Sequence, residues 1–558
     1  MIGSCMSLTQ MEGKRYKFIA LGLLLVLTVM IRLPILMEPW GADQAGFGFI
    51  ARGILEGKAP YKDMYSLTGY GVFFTFALFF KLFGMTMVSA HIGHLLVSLI
   101  TVILVFLFTH FLLGRKEALI AALCYTLFSN GLAFSGFGYE NKSAWGTYWY
   151  LSQREVFMAP LMLGAIFLII LGERKKKIVL YFLSGLLIGL AAFYKQTAVV
   201  FLMFMVGFIL SQDWRKRDSF HLKRNSGRMG CLVFGFILVQ LPFLYYFWVH
   251  DALRDVYQAL FVHLPLYAKL SRGLRVETFF SGHYSVLSEN VVLWLFAAVS
   301  CVYIFFKDRT RYNMLIALWG IFSLIMVWIQ GKFFGYHFLL LTPPFSVLTA
   351  YGLTRFLAKG RGIKGFITAN LRDIRKAFML TTMGAALVGF GISNYHYYQR
   401  HARYWLGKIS KQQYYQVFNE FPTHPYSFRS DYQIVQYLRE NQGTGGKLGV
   451  IFSGGDTIIH FLTGMEPATR FIQSWYLFPA DEKLSRNKIT VALRQDFVEQ
   501  LIQSAPRFIL CVHIPLQDLL EIPGSKEDPS VKRLGEFVEK NYRLKKNFPD
   551  NRFLFEKI

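Results

Sequence analysis

The 558-residue chain is 54% hydrophobic and 17% aromatic but only 17% charged, with a mean hydropathy of +0.36. A soluble domain carries about 25% charged residues, so the composition excludes an ordinary water-soluble enzyme and points to a chain solvated mostly by lipid. The net charge of +26 would suit a nucleic-acid binder, but the basic residues stand in short runs between apolar segments. That placement marks cytoplasmic loops, and no nucleic-acid partner is expected.

The first apolar run, 17–37, follows Lys14 and Arg15 and lacks an A-x-A-like cleavage site, so it reads as a retained anchor with the N-terminus in the cytoplasm. Segment 38–86 is the first outer loop. It opens Glu38-Pro39-Trp40-Gly41-Ala42-Asp43-Gln44 and continues as a helix over 43–57. There Phe47, Ile50, Ala51, Ile54 and Leu55 recur at helical spacing until Gly57, too short a stretch to span and expected to lie in the interface. Tyr70 to Phe83 is strongly apolar but short, and is read as interfacial or re-entrant because a crossing there would split the basic clusters between two faces.

Further spans are expected over 87–113, 117–137, 154–172, 178–194, 195–211, 230–249, 289–307, 312–330, 337–357 and 377–397. That makes about eleven, each built on the roughly 20 apolar residues a crossing needs. Arg115 and Lys116, Arg174 to Lys177, Arg215 to Arg228, Lys307 to Arg311 and Arg355 to Lys376 then share the cytoplasmic face. Segments 138–153, the turn at Lys195, 250–288, 331–336 and everything after about 398 face outward. Trp40, Tyr61, Tyr65, Tyr139, Trp145, Tyr148, Trp149 and Tyr150 on that side form either an aromatic belt or stacking platforms for a sugar.

From about 398 the composition becomes that of a soluble domain. A helix is expected over 431–441, strands over 447–452 and 507–513, a short helix over 457–462 and an edge strand over 552–556. Ser453-Gly454-Gly455-Asp456-Thr457 reads first as a tight strand-to-helix turn and second as a phosphate cradle. The fold class is thus an all-α polytopic membrane portion, residues 1–397, with a small extracytoplasmic α/β domain, residues 398–558. The five cysteines form no CxxC pair, and support neither a disulfide framework nor a zinc site.

Charged groups beside a bilayer are costly and default to function. Asp43 is the first candidate, either as a reacting carboxylate or as the N-cap of its helix. Lys195, in Phe193-Tyr194-Lys195-Gln196, lies outside against the charge bias and wants an anionic partner. Arg154 and Glu155 open the fourth span. They either pair with each other or leave Arg154 as a bidentate phosphate ligand. Lys332 and His337 lie at the turn before the tenth span, and Glu155 and Asp63 are supporting acids. His91 and His94 share a helix face, a weak metal signal, and no clear ligand set for a divalent metal emerges. One outer surface therefore carries carboxylates and cations suited to a lipid phosphate and to proton removal beside it.

The run GADQAGFGFIARGILEGKAPYKDMYS, followed by LFFKLFG, resembles the first outer loop of bacterial family 39-type glycosyltransferases of the GT-C superfamily. These are similar to dolichyl-phosphate-mannose–protein mannosyltransferases and to the aminoarabinose transferases of lipid A. SQREVFM, GLAAFYKQTA and GKFFGYHFLLLTPP match in order further along. The resemblance implies a polyprenyl-phosphate sugar donor, Asp43 as the catalytic acidic residue, and Arg154 and Lys195 near the donor phosphate. This chain departs from the family at Asp43-Gln44, where an Asp-Glu pair is frequent, and at Thr68-Gly69-Tyr70, where many members carry Lys-Pro-Pro.

The expected activity is inverting transfer of a sugar to a protein, lipid or glycan acceptor at the outer face of a cell membrane, with Asp43 as general base. The alternative is a transporter, flippase or binding factor for lipid-linked sugars. Transporters place their polar features near the midplane, often in repeated halves, whereas these candidates sit at one edge and no internal repeat is visible.

Overall fold

The computed structural model describes residues 8–130, 152–211, 219–270, 276–358, 381, 384, 388–392, 394–418, 427–442, 446–452, 456–479, 481–512 and 528–558. Helix α1 (Leu8–Arg32) tightens into a 3-10 turn over Leu33–Met37, and two short helices follow, α2 (Ala42–Leu55) and α3 (Gly71–Phe83). Next come α4 (Met87–Leu112), α5 (Arg115–Phe128), α6 (Arg154–Lys175), α7 (Val179–Tyr194), α8 (Ala198–Leu210) and α9 (Ser219–Leu238), which leads into α10 (Leu241–Val249). The chain then forms α11 (Leu253–Tyr257), a π-helical turn (Gln258–His263), α12 (Leu264–Leu270), α13 (Val276–Glu289), α14 (Val291–Lys307), α15 (Arg311–Gln330) and α16 (Thr342–Ala358).

Among the described residues five stretches are long and apolar enough to cross a membrane: Ile19–Met37, Met87–Leu112, Arg154–Lys175, Asn225–Val249 and Arg311–Gln330. Helices α3, α7, α8 and α14 are apolar but shorter. The expected spans 117–137 and 377–397 run partly outside the described residues. Small residues let α7 and α9 meet backbone to backbone, as in membrane helix pairs. A Cβ added at Gly185 would stand 2.0 Å from the Leu232 carbonyl oxygen, and one at Gly235 2.2 Å from that of Phe182.

The bundle is polar in the sense of its charge. Arg311 pairs with Glu173 at 2.6 Å, Arg174 lies over Phe111 and Tyr312, Arg311 over Phe208, Arg228 over Tyr181, and Arg355 reaches Asp308. These contacts gather the basic ends of α6, α8, α9, α14, α15 and α16 at one end. The start of α6, the α7–α8 turn and the α15–α16 connection lie at the other.

Helix 43–57 was expected to lie flat in the interface with one apolar face. It forms as α2 but is buried almost all round, from Ala42 through Gly53. The reason is a partner far away in sequence: α2 lies between α3 and the helix Thr457–Thr463. Phe49 packs on His460, and Trp40 packs on Phe461 and Phe80. Lys58 pairs with Glu466 at 2.7 Å, and the Tyr65 N–H donates to the Arg470 carbonyl at 2.7 Å. Trp40, Tyr61 and Tyr65 are buried core residues, so they serve neither as a belt nor as sugar platforms. Tyr139, Trp145, Tyr148, Trp149 and Tyr150 lie outside the described residues.

The C-terminal region carries a five-stranded mixed sheet of order β2-β1-β3-β5-β4. Its strands are β1 (Lys447–Ile451), β2 (Glu466–Pro467), β3 (Phe508–Val512), β4 (Tyr542–Phe548) and β5 (Arg552–Lys557). The expected edge strand, β5, is interior and pairs antiparallel with both β3 and β4. The edge on that side is β4, whose middle residues Arg543 to Asn547 are exposed, with β2 at the other; lysines on an edge strand discourage pairing with another chain. Arg552 is fully buried and donates to Asp431 at 3.1 Å and to Asp456 at 3.2 Å. Asp456 thus braces the sheet. Residues 453–455 of the proposed phosphate cradle lie outside the described residues.

Candidate active site

The segment after α1 delivers Asp43 to the second position of α2. Gly41 is the N-cap and no side chain caps the helix, so the capping role open to Asp43 falls away. Its carboxylate instead accepts from Gln153 Nε2 at 3.3 Å and from the hydroxyl of Tyr336. Two buried histidines of α4 hold the backbone behind this contact. His91 Nε2 meets the Glu38 carbonyl at 3.0 Å, and His94 Nδ1 accepts from the Ser152 N–H at 2.9 Å. The pair, a weak metal signal for which packing was the stronger reading, therefore anchors the two stretches of chain that bring Asp43 and Gln153 together. Among the described residues no group of three or more His, Cys, Asp or Glu is arranged to hold a metal ion.

Arg154 and Glu155, adjacent in sequence, go separate ways. Glu155 is fully buried and pairs with Lys195, whose ammonium also donates to Gln330 Oε1 at 2.5 Å. Lys195 thus finds its anionic partner within the chain. Arg154 has no ion-pair partner among the described residues; its Nε is unpartnered and its guanidinium lies 6.0 Å from the Phe47 ring. Lys332 likewise pairs with no described carboxylate, and its ammonium sits 3.6 Å from the centre of the Tyr267 ring. His337 is buried beside Tyr336 with Nδ1 unpartnered. Asp63 belongs to a different feature: it is exposed, and its carboxylate closes a turn by accepting the Ala59 N–H at 2.7 Å.

Both cation-bearing connections hold strained backbone. Ser152 (φ 51°) precedes Gln153 and Arg154, while Gly331 (φ 67°) and Phe333 (φ 51°) flank Lys332. Left-handed conformations at non-glycine residues cost about 1–3 kcal/mol and persist where packing over-determines them. At Phe333 that packing is Gly282, where an added Cβ would lie 2.6 Å from the Phe333 Cβ.

The electrostatics follow from a dry setting. Burial draws the Lys332 ammonium down to about 7, with Asp43 opposing and Arg154 and Lys195 adding to the fall. Burial also draws Lys195 down to about 8 against the pull of Glu155. The Tyr336 hydroxyl is held well above its usual value by burial and then by the charge of Asp43, so it stays a proton donor to the carboxylate. Among the described residues the site thus offers one carboxylate with fixed donors, two cations without carboxylate partners, and one lysine already committed to Glu155. The sequence did not single out Gln153, Gln330, Tyr336 or Tyr267. Two of these carry a visible signal, a polar Gln closing or preceding an apolar run beside a basic residue.

Residues 69–246 match the dolichyl-phosphate-mannose-protein mannosyltransferase family, a segment that holds Arg154, Glu155 and Lys195 but not Asp43 or Lys332. No curated protein matches the sequence. Among solved structures, ArnT from Cupriavidus metallidurans bound to undecaprenyl phosphate aligns with a TM-score of 0.60 at 11% identity, over 97% of this chain and 98% of that one. The fold is that of a GT-C glycosyltransferase, and the chain resembles the mannosyltransferase and ArnT members of that superfamily. The Archaeoglobus fulgidus oligosaccharyltransferase, tethered to an acceptor peptide containing the NVT sequon, aligns at 0.52 and 14% identity over 98% of this chain and 74% of that one. The oligosaccharyltransferase AglB from the same organism, in complex with an inhibitory peptide and a dolichol-phosphate, aligns at 0.50 and 13% identity over 93% and 72%. These alignments run over 93–98% of this chain, so the shared fold takes in both the helical bundle and the C-terminal region.

Proposed function

We propose that the protein is a membrane glycosyltransferase that moves a sugar from a polyprenyl-phosphate donor to an acceptor hydroxyl, with inversion. The observation that carries this reading is that Asp43, Arg154 and Lys195 all lie near enough to act on the charge of Lys332, while neither Arg154 nor Lys332 pairs with a described carboxylate. Asp43 takes the acceptor proton, the acceptor oxygen bonds to the anomeric carbon, and the carbon–oxygen bond to phosphate breaks. The electron pair leaves on the phosphate, where Arg154 and Lys332 stabilise the charge. Lys195, held by Glu155 and Gln330, adds to the field. The undecaprenyl phosphate and dolichol-phosphate bound by ArnT and AglB supply the precedent for such a carrier. The test is release of free polyprenyl phosphate by purified protein given donor and acceptor. Binding of donor with no release under any acceptor would leave a carrier-binding protein instead.

In this reading the site end of the bundle faces outward, together with residues 398–558 as an outer domain, and the basic end faces the cytoplasm. Reporter fusions after residues 60, 145, 270 and 420 are expected to report the outer side, and those near 175, 220 and 365 the inner side. An inner signal at 420 would separate the C-terminal region from the proposed site face.

Donor binding is expected to weaken as pH rises. Lys332 and Lys195 lose their charge progressively as pH rises through their lowered values of about 7 and 8. Bound phosphate favours the charged forms, so binding takes up protons above those values. The sugar–phosphate diester has no titration of its own there. Affinity should fall by up to about tenfold per pH unit for each lysine that must be recharged. Lys332→Ala should show a shallower slope between about pH 7 and 9, and an unchanged slope would remove Lys332 from the phosphate site.

A further inference from the structure

The Lys332 ammonium, 3.6 Å from the centre of the Tyr267 ring, is at cation–π distance. Tyr267 in turn meets Trp475 edge to face, with centroids 5.3 Å apart and planes at 76°. Trp475 belongs to the C-terminal region and is fixed there. It opens a single 3-10 turn, the preceding Ser474 donates to the Val450 carbonyl of β1, and Phe471 packs on Tyr65 of the first loop. A chain of contacts therefore runs from the C-terminal sheet through Trp475 and Tyr267 to a cation of the site.

We propose that Tyr267 is a positioning residue for Lys332 and that Trp475 braces it, so that the C-terminal region keeps this cation charged and in place. This rests on the donor-site reading above for its functional meaning, but not for its physics. An aromatic face favours the charged ammonium over the neutral amine, and a buried lysine beside other cations needs that help. The other charged or titratable groups acting at Lys332 are Asp43 from α2, Arg154 from α6, Lys195 from the α7–α8 turn and His337 from the turn before α16. Of these only Asp43 favours its charge. Tyr267 of α12 adds support from a further side, and Trp475 helps to keep its ring from turning.

The variants are Tyr267→Leu, which keeps apolar bulk without the ring, Tyr267→Phe, which keeps the ring, and Trp475→Leu. Two readouts are taken on the full-length protein. Competitive acetylation of lysines with acetic anhydride, followed by peptide mass spectrometry across pH, reads the ionisation of Lys332 with no donor present. Titration with undecaprenyl phosphate reads anion affinity. Tyr267→Leu is expected to lower the Lys332 midpoint by about one pH unit and the affinity by about 5- to 30-fold, as loss of a partly desolvated cation–π contact implies. Trp475→Leu should act in the same direction and more weakly, and Tyr267→Phe should match wild type in both. In a Lys332→Ala background, Tyr267→Leu should change affinity no further. A Lys332 midpoint unmoved by Tyr267→Leu, or moved equally by Tyr267→Phe, would overturn the proposal. A shifted midpoint together with wild-type affinity in Lys332→Ala would uphold the positioning role and overturn the donor-site reading instead.

Discussion

Asp43→Asn is expected to be made, inserted and able to bind polyprenyl-linked donor, yet to lose sugar transfer by at least about 10²-fold, the lower range for loss of a general base. Asparagine retains a carbonyl to accept from Gln153 and Tyr336, which now hold the carboxylate. With Gly41 as N-cap, the substitution removes no cap. The loss of an acidic charge from the first turn of α2 should cost no more than about 1 kcal/mol of stability. Asp43→Ala should be equally inactive and only slightly less stable, since no capping bond is lost there either. The measurements are transfer rate, donor affinity and melting temperature on each purified variant. Transfer by Asp43→Asn within a few-fold of wild type would remove Asp43 from the chemistry.

The second large effect falls on stability. Lys195→Ala should destabilise the folded protein by about 3–5 kcal/mol, because it leaves the fully buried Glu155 carboxylate without its partner. Glu155→Gln should cost less. Lys195, already drawn down to about 8, can shed its proton near neutral pH at a cost of about 1.4 kcal/mol per unit. The double variant Lys195→Ala with Glu155→Gln should recover much of the loss, giving a coupling energy measurable by a double-mutant cycle in denaturant. Lys359→Ala, in a basic cluster, serves as a control with little effect. If the two single variants prove additive in the double, the pair does not act as a buried unit. Because Lys195→Ala is expected to loosen the fold, its activity must be compared with that of the stabilised double variant.

These expectations show what the sequence carried and where it fell short. The apolar runs, the short helix at 43–57 and the strands at 447–452 and 507–513 were legible because helical spacing and β-rich composition are local signals. The grouping of Asp43 with Arg154, Lys195, Lys332 and His337 was legible because each is a charge or histidine at the end of an apolar run. What failed was partnership across long distances. Pairing of Arg154 with Glu155 was one of two alternatives, but adjacent residues on a helix do not face each other, and Lys195 took the carboxylate. Capping was one of two roles open to Asp43 because it precedes an apolar pattern, yet the N-cap is Gly41, two residues earlier. The strand at 552–556 looked like an edge because it ends the chain, while the lysine-rich strand before it fills that place. Helix α2 looked amphipathic until the C-terminal region covered its other face.

That cover has a consequence for how the molecule is made. Lys58 and its partner Glu466 are 408 positions apart, and the packed aromatic core around Trp40, Tyr65, Phe461 and Phe471 spans the same interval. At about 5–20 residues per second, the ribosome releases the first loop roughly 20–80 s before the segment that shields it. During that wait the loop's aromatic side chains lack their main companions, and α2 stands half uncovered. A nascent chain cut short before the last quarter would keep its apolar helices yet leave α2, which carries Asp43, without the helix Thr457–Thr463 that packs against it.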